Sequence, residues 1–234
     1  MKLHESIDGR LRAFIERQHL FFVATAPLSR DGHVNVSPKG LDGSFVVLDE
    51  RTVAYLDLTG SGSETVAHLR ENGRITVMFC AFEGAPNIVR LHGTGRYVGL
   101  QDSEFDSYRR LFADLPGARG VVVVDVERVS DSCGYAVPLM THDGDRDLLT
   151  RWADNRGEEG LATYRATKNA ASIDGLPALD TTSGTTPDAT PRSNPRDAAR
   201  RYALRELTGE RPGPEGPGRT HTPPSGARQT MVRR

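Results

Sequence analysis

The chain has 234 residues, is 37% hydrophobic and carries a formal net charge of −1, a length that allows one domain with extensions or two small ones. The charge is unevenly spread: from Thr181 onward ten arginines face five acids, so that tail is +5 and the first 180 residues are about −6. An acidic body argues against nucleic-acid binding by the fold, and scattered arginines predict only weak, salt-sensitive attraction of the tail to polyanions.

Ile7, Leu11, Phe14 and Ile15 recur at helical spacing, so an amphipathic helix is expected over residues 5–19. Leu20 to Ala26 is a buried strand candidate, stopped at Pro27 and turned by Ser29-Arg30-Asp31-Gly32. Val34 and Val36 then alternate with His33, Asn35 and Ser37 until Pro38-Lys39-Gly40 ends the pairing. Phe45 to Leu48 and Thr52 to Asp57 flank Asp49-Glu50-Arg51 and form a hairpin.

The stretch from 53 to 82 reads as strand, small-residue loop, short helix and strand. Its loop, Thr59-Gly60-Ser61-Gly62-Ser63, has little side chain to keep a ligand from the backbone. Ser61 and Glu64 have capping-box spacing, Val66 and Leu69 give the helix an apolar edge, and Asn72-Gly73 stops it. Such a loop leaves several N–H donors pointing at one place, which suits a phosphate; plain connection chemistry would look the same. His68 is expected on the exposed helix face.

Arg74 to Phe82 is the most apolar strand. Glu83-Gly84-Ala85-Pro86 turns it into Asn87 to Val98, where Ile88, Arg90 and His92 alternate with Val89, Leu91 and Gly93; Arg90 and His92 fit the solvated outer face of a barrel strand. A helix is expected over Asp102 to Leu115, a buried strand over Val121 to Val126, and helices over Arg146 to Trp152 and Glu158 to Lys168, broken at Asn155-Arg156-Gly157. Asp143-Gly144-Asp145 is read as a turn, since it lacks the remaining ligands of a calcium loop. In the tail, Asn194 to Gly209 could form a short helix, marginal by itself.

This order implies a mainly β (α+β) fold, a small antiparallel barrel of about six or seven strands with flanking helices. Residues 1–180 are expected to be the folded domain and residues 181–234 a disordered Pro/Arg-rich tail. A barrel of that size is filled by its own side chains, so a sizeable ligand has to lie on its rim or between two copies. Cys80 and Cys133 form no disulfide framework or metal motif, which suits a reduced, cytoplasmic setting. No apolar stretch is long enough to span a bilayer, and MKLHESIDGR lacks the apolar core of a leader.

VNVSPKG (Val34 to Gly40), TVAYLD, TGSGSET and RITVMFCAF, in that order, resemble the pyridoxamine 5′-phosphate oxidase-like, FMN-binding split-barrel family. The later stretches SCGYAVPLM and KNAASIDGLPAL resemble an uncharacterised actinobacterial-type branch of it. The resemblance implies a homodimer with FMN at the interface. It further implies that Ser37, Pro38 and Lys39 run beside the flavin, that Tyr55, Leu56 and Asp57 line it, and that Ser61, Gly62, Ser63, Glu64 and Thr65 form the phosphate loop. Glu64-Thr65 stand where the family's oxidases usually carry Arg-Lys, and a carboxylate opposes a phosphate dianion. Either Glu64 folds back as a capping-box partner with Lys39 as the main cation, or the ligand differs, as F420 would. The family's C-terminal Trp- and Arg-rich substrate motif is missing.

No Ser/His/Asp set, metal triad or paired-carboxylate pattern stands out, so no hydrolytic centre is proposed. What the resemblance implies is a flavin-dependent oxidoreductase acting on an unknown small molecule; the competing reading is a non-catalytic module that binds or senses a flavin, F420 or haem.

Overall fold

The computed structural model describes residues 1–180; the expected tail and its helix at 194–209 lie outside the described residues. In chain order the elements are β1 (Lys2–His4), α1 (Gly9–Glu16), β2 (Phe21–Thr25), β3 (Asn35–Lys39), β4 (Phe45–Asp49), β5 (Thr52–Leu58), α2 (Glu64–Glu71), β6 (Arg74–Cys80), β7 (Ile88–Gly99), α3 (Phe105–Arg109), β8 (Ala118–Ser132) and α4 (Leu148–Lys168). All strand pairs are antiparallel, in the order β3-β2-β6-β7-β8-β5-β4, with β1 added to β8.

The end strands β3 and β4 do not pair, yet the sheet curls until its inner faces meet. The Phe45 ring of β4 lies 5.0 Å from Phe21 of β2 and 5.0 Å from Phe79 of β6. This is a mainly β split barrel, open between β3 and β4, with an interior filled by aromatic and β-branched side chains. Asp8 caps α1 by accepting from the Leu11 N–H at 2.7 Å, and the helix turns Leu11, Phe14 and Ile15 into that interior.

The unbroken apolar run of β5 has a direct cause. Val53 and Tyr55 point into the barrel, while Ala54 and Leu56 enter a second core with Tyr108, Phe112, Val121 and Val123, between the sheet and α3. α2 is likewise covered twice. Leu69 faces the barrel core, and Val66 and Ala67 pack on Ala178 of the returning chain.

Several boundaries differ from the sequence reading. β1 carried no sequence signal, and β8 runs well past Val126 because β7 and β8 stay in register along almost their whole length, with one bulge at His92/Gly93. Gly93 is required there, since a Cβ would collide with the Asp125 carbonyl. The helix expected over Asp102 to Leu115 is only Phe105–Arg109. The N–H groups of Leu111 and Phe112 bond three residues back, and the Ala113 N–H goes to the Gly43 carbonyl, so the α-helical ladder ends. The two late helices form one element with a kink at Gly157, which has φ 63° and falls at the expected break. Among the described residues, no helix is long and apolar enough to cross a membrane.

Candidate functional site

At the open seam of the barrel lies a cavity of about 750 Å³, within the range of small-molecule and cofactor pockets. Three separated segments line it: Ser37 to Leu41 from the end of β3, Leu56 and Leu58 from β5, and Gly62 to Thr65 at the start of α2. His19, Leu20 and Ser44 add to one wall, and Gly144 to Arg146 with Leu148 and Leu149 form another. Of the expected site residues, Ser37, Pro38, Lys39, Leu56, Gly62, Ser63, Glu64 and Thr65 therefore share one cavity. Tyr55, Asp57 and Ser61 are not on its lining.

Tyr55 misses the cavity because strand alternation turns it into the barrel, where it is fully buried and burial drives its hydroxyl pKa well above the ordinary value. Asp57 stands one layer behind the wall. Its carboxylate, 2% exposed, accepts from Arg119 Nε at 2.7 Å and from Lys39 Nζ at 3.3 Å. Burial would raise the Asp57 pKa; the Arg119 and Lys39 charges outweigh it and hold the group below the usual carboxylate range. Burial likewise opposes the charge on Arg119, and Asp57 restores it. Lys39 also stands 5.9 Å from the centre of the Tyr55 ring.

Sequence reasoning missed Arg119. It follows the Pro116-Gly117 turn and reads as an ordinary exposed strand end. Only the antiparallel pairing of β5 with β8, which sets Asp57 opposite Gly120, brings it to the cavity from 62 positions away. Once there it is 5% exposed, its Nη2 donates to the Gly62 carbonyl at 2.8 Å, and its own carbonyl accepts from the Tyr97 hydroxyl at 2.6 Å.

The capping box is not formed. Ser63, not Ser61, is the N-cap residue of α2, and no side chain caps the helix. The Ser63 hydroxyl instead donates to the Ala171 carbonyl at 3.0 Å, while Asn169 Nδ2 donates to the Gly60 carbonyl at 2.9 Å. The chain after α4 thus holds the loop in shape, and the first N–H groups of α2 keep no side-chain partner. Glu64 folds back over Gly62, where its Oε2 fills the space a Cβ would need. Lys39, expected as the main cation, is already engaged by Asp57.

Beneath the cavity runs a polar chain. Ser37 Oγ donates to Asn35 Oδ1 at 3.0 Å, Asn35 Nδ2 donates to Thr65 Oγ1 at 3.1 Å and Thr25 Oγ1 at 3.3 Å, and Thr25 Oγ1 meets His68 Nδ1 at 2.9 Å. His68 is 0% exposed, which corrects the expected solvent-facing position, and burial lowers its pKa. The reason is tertiary, since α2 packs on β2 and turns toward Thr25 a helix position that reads locally as open. Cys80 is buried and Cys133 exposed. Arg90 and His92 lie on the barrel's outer side, opposite Val89 and Leu91 in the core. Trp152 packs edge-on to Tyr164 at 5.0 Å, under Arg156.

Fold and site together define an antiparallel split barrel with a cavity of mixed polar and apolar lining at its seam, bounded on one side by a short helix's N-terminus. A family model described as pyridoxamine 5′-phosphate oxidase matches residues 7–133. The chain is also 45% identical over 194 residues to the pyridoxamine 5′-phosphate oxidase family protein ustO of Aspergillus flavus, a match covering 75% of this chain and 77% of that one. The chain belongs to the pyridoxamine 5′-phosphate oxidase family. Among solved structures, HupZ of Group A Streptococcus is similar at 22% identity over 54% of this chain and 94% of its own, with a TM-score of 0.42. An FMN-binding protein from Syntrophomonas wolfei subsp. wolfei aligns at 15% identity, 51% and 82% coverage and TM-score 0.38. The FAD binding protein from Mycobacterium smegmatis aligns at 19%, 54% and 95%, and 0.38. The cavity wall at Gly144 to Leu149 lies beyond the stretch that the family model matches.

Proposed function

We propose that the protein is a flavin-dependent oxidoreductase that binds FMN in the seam cavity and acts on a small molecule. The observation that carries this reading is the convergence of Ser37 to Lys39, Leu56 and Gly62 to Thr65 on one cavity, in a chain whose family is known. The residues fit a phosphorylated flavin in kind: an uncapped helix N-terminus offers N–H donors to an anion, and Leu56 and Leu58 offer apolar surface to a ring. The bound flavin would supply the redox chemistry. The chain's own residues would hold its anionic end near Gly62 to Thr65, orient its ring along β3 and β5, and exclude water through Leu148 and Leu149.

Homodimerisation belongs to the same proposal. β3 is an edge strand paired only with β2, and Val34 and Val36, 70% and 61% exposed, sit beside the cavity-lining Ser37 to Lys39. A second copy over this edge would bury them and enclose the ligand.

One observation favours a non-catalytic module that binds or senses FMN, F420 or haem. Lys39 and Arg119 are each held by Asp57, and His19 by Asp42 at 3.1 Å, so each of these groups is already paired with a carboxylate. The visible absorption spectrum of the purified protein, alone and after adding FMN or F420, tests binding. Turnover of the reduced, bound cofactor by oxygen or a dye then separates enzyme from sensor. Absence of any bound chromophore under all these conditions contradicts the flavin reading.

A further inference from the structure

We infer that Arg119 is the side chain that receives a phosphomonoester in the seam cavity, standing in from β8 for the basic pair that the start of α2 lacks. The inference rests on the flavin reading above and adds to it the residue that decides for a phosphorylated ligand.

A guanidinium presents its N–H donors in a fixed fork. At Arg119, Nε donates to Asp57 Oδ2 at 2.7 Å, and Nη2 donates to the Gly62 carbonyl at 2.8 Å and Asp57 Oδ1 at 3.4 Å. Among the described residues Nη1 has no partner, although Arg119 is 5% exposed and lines the cavity. Buried donors in folded proteins are almost always paired, so an orphan on a cavity wall points to a ligand acceptor.

Two further features agree. Asp57 is one carboxylate shared by two cations, Arg119 and Lys39, which leaves one positive charge in excess at that point. The adjoining N-terminus of α2 has no side-chain cap, because the Ser63 hydroxyl is turned away to Ala171. Against them stands the Glu64 carboxylate, folded over Gly62. A phosphomonoester reaching the loop would therefore meet Nη1 and the helix N–H groups while Glu64 swings outward. Asp57 is then a positioning residue: it pins two arms of the fork of this cavity-lining arginine and leaves the third, Nη1, unpartnered.

The test compares FMN with riboflavin, which lacks the phosphate, on the full-length flavin-free protein. The wild type is expected to bind FMN at least tenfold more tightly. In Arg119→Gln the FMN preference falls to near one while riboflavin affinity changes less than about threefold, a pattern that general damage to the site would not give. An unchanged FMN-to-riboflavin ratio in Arg119→Gln overturns the inference. Should that variant not fold, Arg119→Lys carries the test, because it keeps the positive charge and loses the fork's third arm: the ratio is expected to fall at least about threefold, and an unchanged ratio overturns the inference. If the wild type takes up neither flavin, the flavin reading fails separately, and inorganic phosphate becomes the probe. At matched ionic strength, a rise in Tm with phosphate over chloride supports Arg119 as an anion site and its absence contradicts it. Phosphate that competes with FMN assigns the phosphomonoester to the cofactor; phosphate that binds the FMN-loaded protein through Arg119 assigns it to a substrate.

Discussion

Inside the barrel, Phe21, Phe45 and Phe79 of β2, β4 and β6 meet ring to ring, whereas at the seam the ends of β3, β5 and β8 hold a buried charge network of Lys39, Asp57 and Arg119. β5 passes from one regime to the other within a few residues: Val53 and Tyr55 are core, and Asp57 anchors Arg119 and Lys39. The interior is held by non-directional burial, which tolerates changes of shape better than loss of volume. The seam is held by directional bonds whose partners must all be present, because a lone buried charge is costly. Stability is therefore concentrated in the interior, and chemical specificity at the seam.

Several variants can break or sharpen this contrast. Phe79→Ala, at a residue 1% exposed, is expected to lose about 3–5 kcal/mol in chemical denaturation; a loss below about 1 kcal/mol would mean that the interior is not close-packed. Asp57→Asn and Arg119→Gln are each expected to be strongly destabilising, and the double variant less so than the sum of the two by about 1–3 kcal/mol. Additive losses would show that the pair is not coupled.

The same network sets the acid limit of the fold. The Asp57 pKa lies below its ordinary 3.8 in the native state, so the unfolded chain takes up this proton first. The resulting stabilisation is complete above that value and is lost as the pH falls through and below it; Asp57→Asn removes this slope. His68 acts higher on the scale. Its native pKa lies below 6.5, so stability falls as the pH drops from about 6.5 towards the native value, and His68→Gln flattens that part of a pH–Tm profile. A profile in which both variants track the wild type would place neither group in a buried network.

Smaller effects belong to helix ends and to the surface. Gly73 ends α2 with φ 74°, so Gly73→Ala is expected to cost about 1–2 kcal/mol. Arg12→Ala, which removes an exposed i,i+4 pair with Glu16 at 3.5 Å, should change stability by less than about 0.5 kcal/mol.

The contrast also accounts for what the sequence discloses. Core strands announce themselves through local pattern: TVAYLD is read correctly because burial on both faces leaves a nearly unbroken apolar run, and RITVMFCAF because Ile75, Val77 and Phe79 alternate into the core. The loop from Thr59 to Ser63 is legible through its small residues, whereas SPKG misleads, because Pro38 and Lys39, expected to end the pairing, stay paired with Phe22 and Phe21 on an edge strand. The network behind them is not legible, because Asp57 meets Arg119 only through the pairing of β5 with β8, and His68 meets Thr25 only through the packing of α2 on β2. The Ser61–Glu64 capping box fails for the same reason: Ala171 captures Ser63, and the helix starts two residues after the local signal. Local pattern specifies elements, whereas polar groups at element ends are specified by what the rest of the chain brings to them.

The most direct test of the account is a map of amide and arginine side-chain resonances in the ¹⁵N-labelled protein as FMN is added. The account predicts shifts concentrated at Ser37 to Lys39, Gly62 to Thr65 and the Arg119 guanidinium. Shifts confined to other parts of the barrel, or none at FMN concentrations that change the absorption spectrum, would contradict it.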